Sequence, residues 1–186
     1  MNNSVLDIKE TSAANLTFVV GFMGSGKTTW GRKLAQAAGH QFIDLDHVIV
    51  DKIGMDIPTF FKNRGEAEFR RLEAETLRTI PSDIPTVVAT GGGTPCYHDS
   101  MNWMNEHGNT IYFKLSPRQL WQRLNKPKHI ESRPALKGLT EGELLDFITE
   151  KLHEREPFYS RAKLVVDQSA IEVEELARQI AHLSRQ

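Results

Sequence analysis

Residues 21–28 read GFMGSGKT and follow directly on the apolar run Leu16–Val20. The spacing Gly-x-x-x-x-Gly-Lys-Thr is that of a P-loop, in which backbone N–H groups cradle phosphates and the lysine ammonium reaches the outer ones. Gly21, Gly24 and Gly26 let the chain bend round an anion, Ser25 and Thr29 complete the cradle, and the helix opening near Lys27 aims its N-terminal dipole at the bound charge. Thr28 offers a hydroxyl to Mg²⁺. With a strand before and a helix after, a merely structural glycine turn is a poor rival. The expected donor is a nucleoside triphosphate, ATP, bound with Mg²⁺.

A second set begins at Phe42-Ile-Asp-Leu-Asp46, where a second strand ends. Carboxylates two residues apart on an extended segment share one side, so Asp44 and Asp46 are expected to face the phosphate edge together. One can support the metal; the other can accept a hydrogen bond from an acceptor hydroxyl and orient or deprotonate it. A lone Asp here would read as a cap, but the pair beside a P-loop favours chemistry. Gly65-Glu-Ala-Glu-Phe-Arg-Arg-Leu-Glu73 reads as a helix start, with Arg70 bordering a buried stripe and Glu66 and Glu73 a turn away on either side. Arg70 is either half of a surface ion pair, worth about 0.3–0.5 kcal/mol, or a guanidinium preorganised to grip a carboxylate-bearing substrate. The residues alone leave these two readings level. Gly91, Gly92 and Gly93 follow the strand Thr86–Ala89, and three glycines where one would make a turn suggest a backbone that a ligand approaches closely. Arg133 sits beside a proline in a flap and suits a guanidinium that swings over a transferring phosphoryl group. Arg155 completes the cationic set, or merely complements a helix C-terminus.

The elements that must position these residues are legible as short runs rich in Val, Ile or Phe: Leu16–Val20, Gln41–Ile43, Thr86–Ala89, Thr110–Leu115 and Leu164–Val166. Separated by helix-length segments, they predict an α/β fold, a five-stranded parallel sheet covered by helices on both faces, with ligands at the C-terminal strand ends. Helix signals are a stop at Gly39, a start at Ser116-Pro117, and capping-box spacing at Thr140–Glu143 and Ser169–Glu172, the latter followed by Val173, Leu176, Ile180 and Leu183 at helical period. Residues 126–138, with two prolines, several cations and no periodicity, read as an exposed flap, either a lid or a tolerated insertion. The chain has 186 residues, room for a single domain, and 23 Lys+Arg against 24 Asp+Glu, so no global field draws it to nucleic acid or a membrane surface. One cysteine, Cys96, excludes an internal disulfide and suits a reducing cytoplasm. No signal peptide or membrane-span pattern appears. Residues 1–15 are polar and are expected to be a loose extension, leaving 16–186 as one domain.

In combination the motifs resemble shikimate kinase, from the P-loop to the last helix: GFMGSGKT, DLD, GEAEFR, GGG, RPAL and REPFY occur in the family's order. The resemblance implies a P-loop kinase of the nucleoside-monophosphate-kinase type, monomeric, with a substrate-binding region about 44–75 and a mobile lid about 124–139. It implies transfer of the ATP γ-phosphoryl group to shikimate in aromatic amino-acid synthesis. On this chain Lys27 and Thr28 would serve phosphate and Mg²⁺, Asp44 the metal, and Asp46, Arg70, Gly92 with its neighbours Gly91 and Gly93, and Arg155 the shikimate. Arg133 would be the lid arginine. Shikimate is a compact ring with one carboxylate and three hydroxyls, and this turns the balance on Arg70 towards substrate binding. The lid reads RPAL where relatives often have a second leucine, and the stretch from Arg123 to Arg133 is longer than usual. The loop after the last strand has no arginine to meet adenine, leaving Arg123 as the candidate. The weighed alternatives are gluconate kinase or another small-metabolite P-loop kinase, and a catalytically silent nucleotide-binding regulator.

Overall fold

All five apolar runs become parallel strands: β1 (Leu16–Val20), β2 (Gln41–Asp44), β3 (Thr86–Ala89), β4 (Gly108–Lys114) and β5 (Leu164–Asp167), in the order β2-β3-β1-β4-β5. The computed structural model describes residues 15–131, 133–168 and 170–183. In register, Leu16 lies beside Thr86 on one side and Gly108 on the other, which leaves β1 central and its C-terminal end in the crevice where connections diverge. The helices are α1 (Lys27–Ala38), α2 (Leu45–Ile53), α3 (Ile57–Arg78), α4 (Ser100–His107), α5 (Pro117–Leu124), α6 (Pro127–Glu131), α7 (Glu141–Tyr159) and α8 (Val173–Leu183).

The period-2 alternation of the strands divides the core in two. Val19, Val87, Ile111, Phe113 and Val166 face Leu34 and Ala35 of α1 and Leu176 and Ile180 of α8. Phe18, Val20, Val88 and Tyr112 face the larger opposite layer, which includes Ile49, Phe69, Leu77, Met104, Leu120, Ile148 and Tyr159. With both faces covered, the strands can be almost wholly apolar, as parallel sheets require.

Local signals held where they were chemical. Gly39 ends α1 in the left-handed region at φ 69°, its N–H returning to the Ala35 and Gln36 carbonyls. Ser116 and Thr140 cap α5 and α7, each in a reciprocal box, with Gln119 and Glu143. Ser169, the expected cap of the last helix, lies outside the described residues, as do residues 1–14 of the expected extension.

Two expectations need correction. The helix expected to begin at Gly65 is the second half of α3, which starts at Ile57 and kinks where Gly65 takes φ 80° and ψ 170°. Residues 126–138 are not aperiodic: they contain α6 and a 3₁₀ turn at Pro134–Leu136, and although Lys126, Pro127, Ala135, Lys137 and Gly138 are exposed as expected, Leu136 is fully buried in the larger core with Ile130 packed against it. An apolar anchor every half-dozen residues was hidden by the prolines and cations between.

Candidate active site

The cradle residues turn as their glycines allow, with φ 144° at Gly21, 78° at Gly24 and 88° at Gly26, values that side chains beyond glycine rarely adopt. Ser25 N–H closes the turn onto the Phe22 carbonyl at 3.1 Å. Lys27, buried at the start of α1, folds back and donates to the Gly21 and Phe22 carbonyls at 2.8 and 2.9 Å. Burial lowers its pKa to about 8, against the raising pull of Asp46 and Asp44; the positive charges of Arg155 and Arg133 lower it further, so all five groups share one field. Thr28 and Thr29 lie exposed on the first turn of α1.

Asp44 and Asp46 meet the same edge by a different route from the one expected. The strand ends at Asp44, so the two are not on extended chain: Asp44 caps α2 by accepting from Asp46 N–H at 3.1 Å, and Asp46 projects from the first helical turn. A short carboxylate at a strand end closes the helix N-terminus, and this overrides the extended spacing. The other oxygen of Asp44 accepts from the Thr28 hydroxyl at 2.8 Å. Burial, then the charges of Asp44 and Glu73, raise the Asp46 pKa to about 6.

Arg70 leaves the second half of α3 and is held on two sides. It donates to Glu73 at 2.9 Å and to Glu66 at 3.0 and 3.2 Å, and its guanidinium lies over the rings of Tyr97 at 4.9 Å, Phe69 at 5.4 Å and Phe61 at 5.8 Å. Glu73 is itself buried, its second oxygen accepting from the Thr94 hydroxyl at 2.6 Å. A surface ion pair would show neither the burial nor the third partner.

The triple glycine joins everything. A Cβ on Gly93 would sit 2.5 Å from Arg70 Cζ; one on Gly91 would sit 2.5 Å from Glu73 Oε1 and 3.1 Å from Asp46 Oδ1; one on Gly92 would sit 3.6 Å from Arg155 Nη1 and 3.6 Å from the Gly21 carbonyl. That same carbonyl holds Lys27. Arg155 leaves α7 over the Phe22 ring at 5.5 Å, and α7 runs past Pro157 to bring the Tyr159 hydroxyl onto the Gly92 carbonyl. Asp46, Arg70, Gly91–Gly93, Arg155 and Lys27 therefore open on one cleft. Arg133, half-buried, donates to the His129 carbonyl at 3.0 Å. Arg123 donates to the Ser25 carbonyl at 3.0 Å and to Gln168 at 3.1 Å, behind the phosphate loop. Sequence reasoning missed Gln168 and Tyr159 as site residues; the second was quoted in REPFY without a role. Cys96 closes a 3₁₀ turn beside this cleft, where burial pushes its thiol up to about 11 and keeps it neutral.

The shikimate kinase family model matches residues 23–184. The shikimate kinase of Parabacteroides distasonis is 43% identical over 150 residues, 81% of this chain and 86% of that protein. The chain belongs to the shikimate kinase family. The crystal structure of shikimate kinase from Bacteroides thetaiotaomicron is similar with a TM-score of 0.81 at 35% identity, over 92% of this chain and 98% of that one. Shikimate kinase from Acinetobacter baumannii, solved in complex with shikimate, is similar with a TM-score of 0.76 at 31% identity, over 92% and 93%. The fold is thus the P-loop kinase fold of nucleoside-monophosphate-kinase type that the motifs predicted. Among the described residues no helix is long and apolar enough to cross a membrane, and no cluster of three or more His, Cys, Asp and Glu could form an all-protein metal cage.

Proposed function

We propose that this chain transfers the γ-phosphoryl group of ATP to the 3-hydroxyl of shikimate, giving shikimate 3-phosphate and ADP, on the chorismate route to aromatic amino acids. The observation that carries the reading is the convergence of Lys27, Asp46, Arg70 and Arg155 around Gly91–Gly93. Arg70 and Arg155 take the shikimate carboxylate, the Gly91–Gly93 backbone lets the ring approach, and Asp46 accepts the hydrogen bond of the reacting hydroxyl. The hydroxyl oxygen bonds to Pγ as the bond from Pγ to the ADP oxygen breaks, and its proton passes to the Asp46 carboxylate. Gly24, Ser25, Gly26, Lys27, Thr28 and Thr29 hold the ATP phosphates. Lys27 leaves the Gly21 and Phe22 carbonyls for the phosphate oxygens, a stronger set of acceptors. Arg133, from the lid at about 124–139, neutralises charge on the transferring group. Arg123, held by its edge, keeps a guanidinium face for the adenine.

Thr28 and Asp44 present two hard oxygen donors 2.8 Å apart at the phosphate edge, a set that fits Mg²⁺, which takes few protein ligands beside phosphates and water. When bound, Mg²⁺ neutralises phosphate charge. A monomeric, cytoplasmic enzyme completes the proposal, and a single neutral thiol accords with a reducing compartment.

The test is ADP release in the presence of shikimate, gluconate or AMP. Turnover with shikimate is expected. Turnover on gluconate alone, or nucleotide binding without transfer to any acceptor, overturns the reading.

A further inference from the structure

A loop that turns its N–H groups inward towards an anion leaves its carbonyls facing the protein, where each needs a donor. Ser25 is in that position. Its side chain is buried and its hydroxyl makes no hydrogen bond, so the residue is held through its backbone. Its carbonyl accepts twice, from Gln168 Nε2 at 2.6 Å and from Arg123 Nη1 at 3.0 Å. The same Arg123 nitrogen donates to Gln168 Oε1 at 3.1 Å and lies 3.5 Å from the Gly24 carbonyl. Gln168 is 7% exposed and directly follows β5. It therefore ties the outermost strand and α5 to the back of the phosphate loop with both ends of one amide.

We propose that Gln168 is a positioning residue for the nucleotide phosphates: by fixing Arg123 against the Ser25 carbonyl, it sets the inward aim of the Gly26 N–H in the same peptide unit. The peptide is planar and trans, so its C=O and N–H point in opposite directions, and holding one aims the other. A carbonyl that accepts from a cation and an amide also polarises its peptide and makes the N–H a stronger donor. A loop without an arginine after β5 thus still acts on the nucleotide, from behind and through the backbone. Asp167 ends β5 and Gln168 begins that loop; of the two, only Gln168 carries a donor and an acceptor on one rigid plane.

The inference rests on residues 21–28 being the ATP phosphate cradle. The test uses the whole chain and measures ADP and shikimate dissociation constants by calorimetry, with KM for both substrates. Gln168→Met keeps the volume and removes both hydrogen bonds; ADP affinity and KM for ATP are expected to worsen about tenfold while shikimate affinity holds. Gln168→Glu keeps the acceptor for Arg123 and loses the donor to Ser25, so it is expected to weaken ADP as well, and it carries the test if the methionine variant does not fold. Arg123→Lys, added to Gln168→Met, is expected to cost less than the sum of the single changes, because both act through one carbonyl. A folded Gln168→Met with unchanged ADP affinity, or with equal losses for ADP and shikimate, overturns the proposal. A wild-type chain that turns over shikimate while Gln168→Met leaves ADP affinity and KM for ATP unchanged sinks this inference alone; a wild-type chain with no turnover sinks the functional reading beneath it.

Discussion

Lys27 and Arg70 are both cations sunk at the positions proposed to bind phosphate and the shikimate carboxylate, and they are held in opposite ways. Lys27 rests on two neutral carbonyls of its own loop and has lost part of its proton affinity to burial. Arg70 is spanned by two carboxylates and walled by three aromatic rings before any substrate arrives. The first arrangement is provisional: a phosphate replaces weak acceptors at little cost. The second is prebuilt: the plane and position of the guanidinium are already fixed, as the proposed grip on a carboxylate requires. A contiguous loop makes the phosphate side, whereas the proposed acceptor side is assembled from α2, α3, the turn after β3 and the end of α7.

The sharpest way to break this division is at Asp46, which belongs to neither cation. Asp46→Asn removes the proton acceptor while keeping the shape; kcat is expected to fall about 10²–10⁴-fold with both KM values held within a few-fold. A kcat near wild type would leave Asp46 a positioning group only. Arg133→Ala comes next, with kcat about 10²-fold lower and shikimate affinity little changed. Changes on the acceptor side should instead move one KM: Arg70→Ala is expected to raise KM for shikimate about 10–100-fold and leave KM for ATP alone. Gly93→Ala should imitate it, because the added methyl displaces the guanidinium without touching charge, and Gly93 at φ −91° tolerates alanine. An effect of either variant on ATP would blur the boundary between the two sides.

The smallest effect is graded by pH. Asp46, raised to about 6, gains its proton as pH falls and can then no longer take the proton of the hydroxyl. Lys27, lowered to about 8, loses its charge as pH rises and no longer attracts phosphate. A plot of kcat/KM should therefore be bell-shaped, with limbs near 6 and 8, and Asp46→Asn should remove the acidic limb and, with the Asp46 charge gone, move the basic limb to lower pH.

The phosphate side was legible because its chemistry and its geometry occupy the same eight residues. Strands were legible where apolar residues dominate, and caps where a single side chain decides the turn. What escaped reading depends on distance. Asp46 was expected on extended chain with Asp44, but the Asp44 carboxylate caps α2 and places Asp46 in its first turn. From the residues alone, without the resemblance, Arg70 was level between surface and site because its burial is set by Tyr97, Thr94 and Gly93, more than twenty residues away in the chain. Gln168 carries no motif, and only its two partners mark it. Leu136, in the segment read as a flap, was hidden by charged neighbours, although its burial is what ties that segment to the core.

The most direct test of the account is a crystal structure with ADP and shikimate both bound. The account predicts shikimate over Gly91–Gly93, its carboxylate between Arg70 and Arg155 and its 3-hydroxyl on Asp46, facing the end of the phosphate chain held by Lys27. Shikimate bound elsewhere, or seated with that hydroxyl turned away from Lys27, would contradict it.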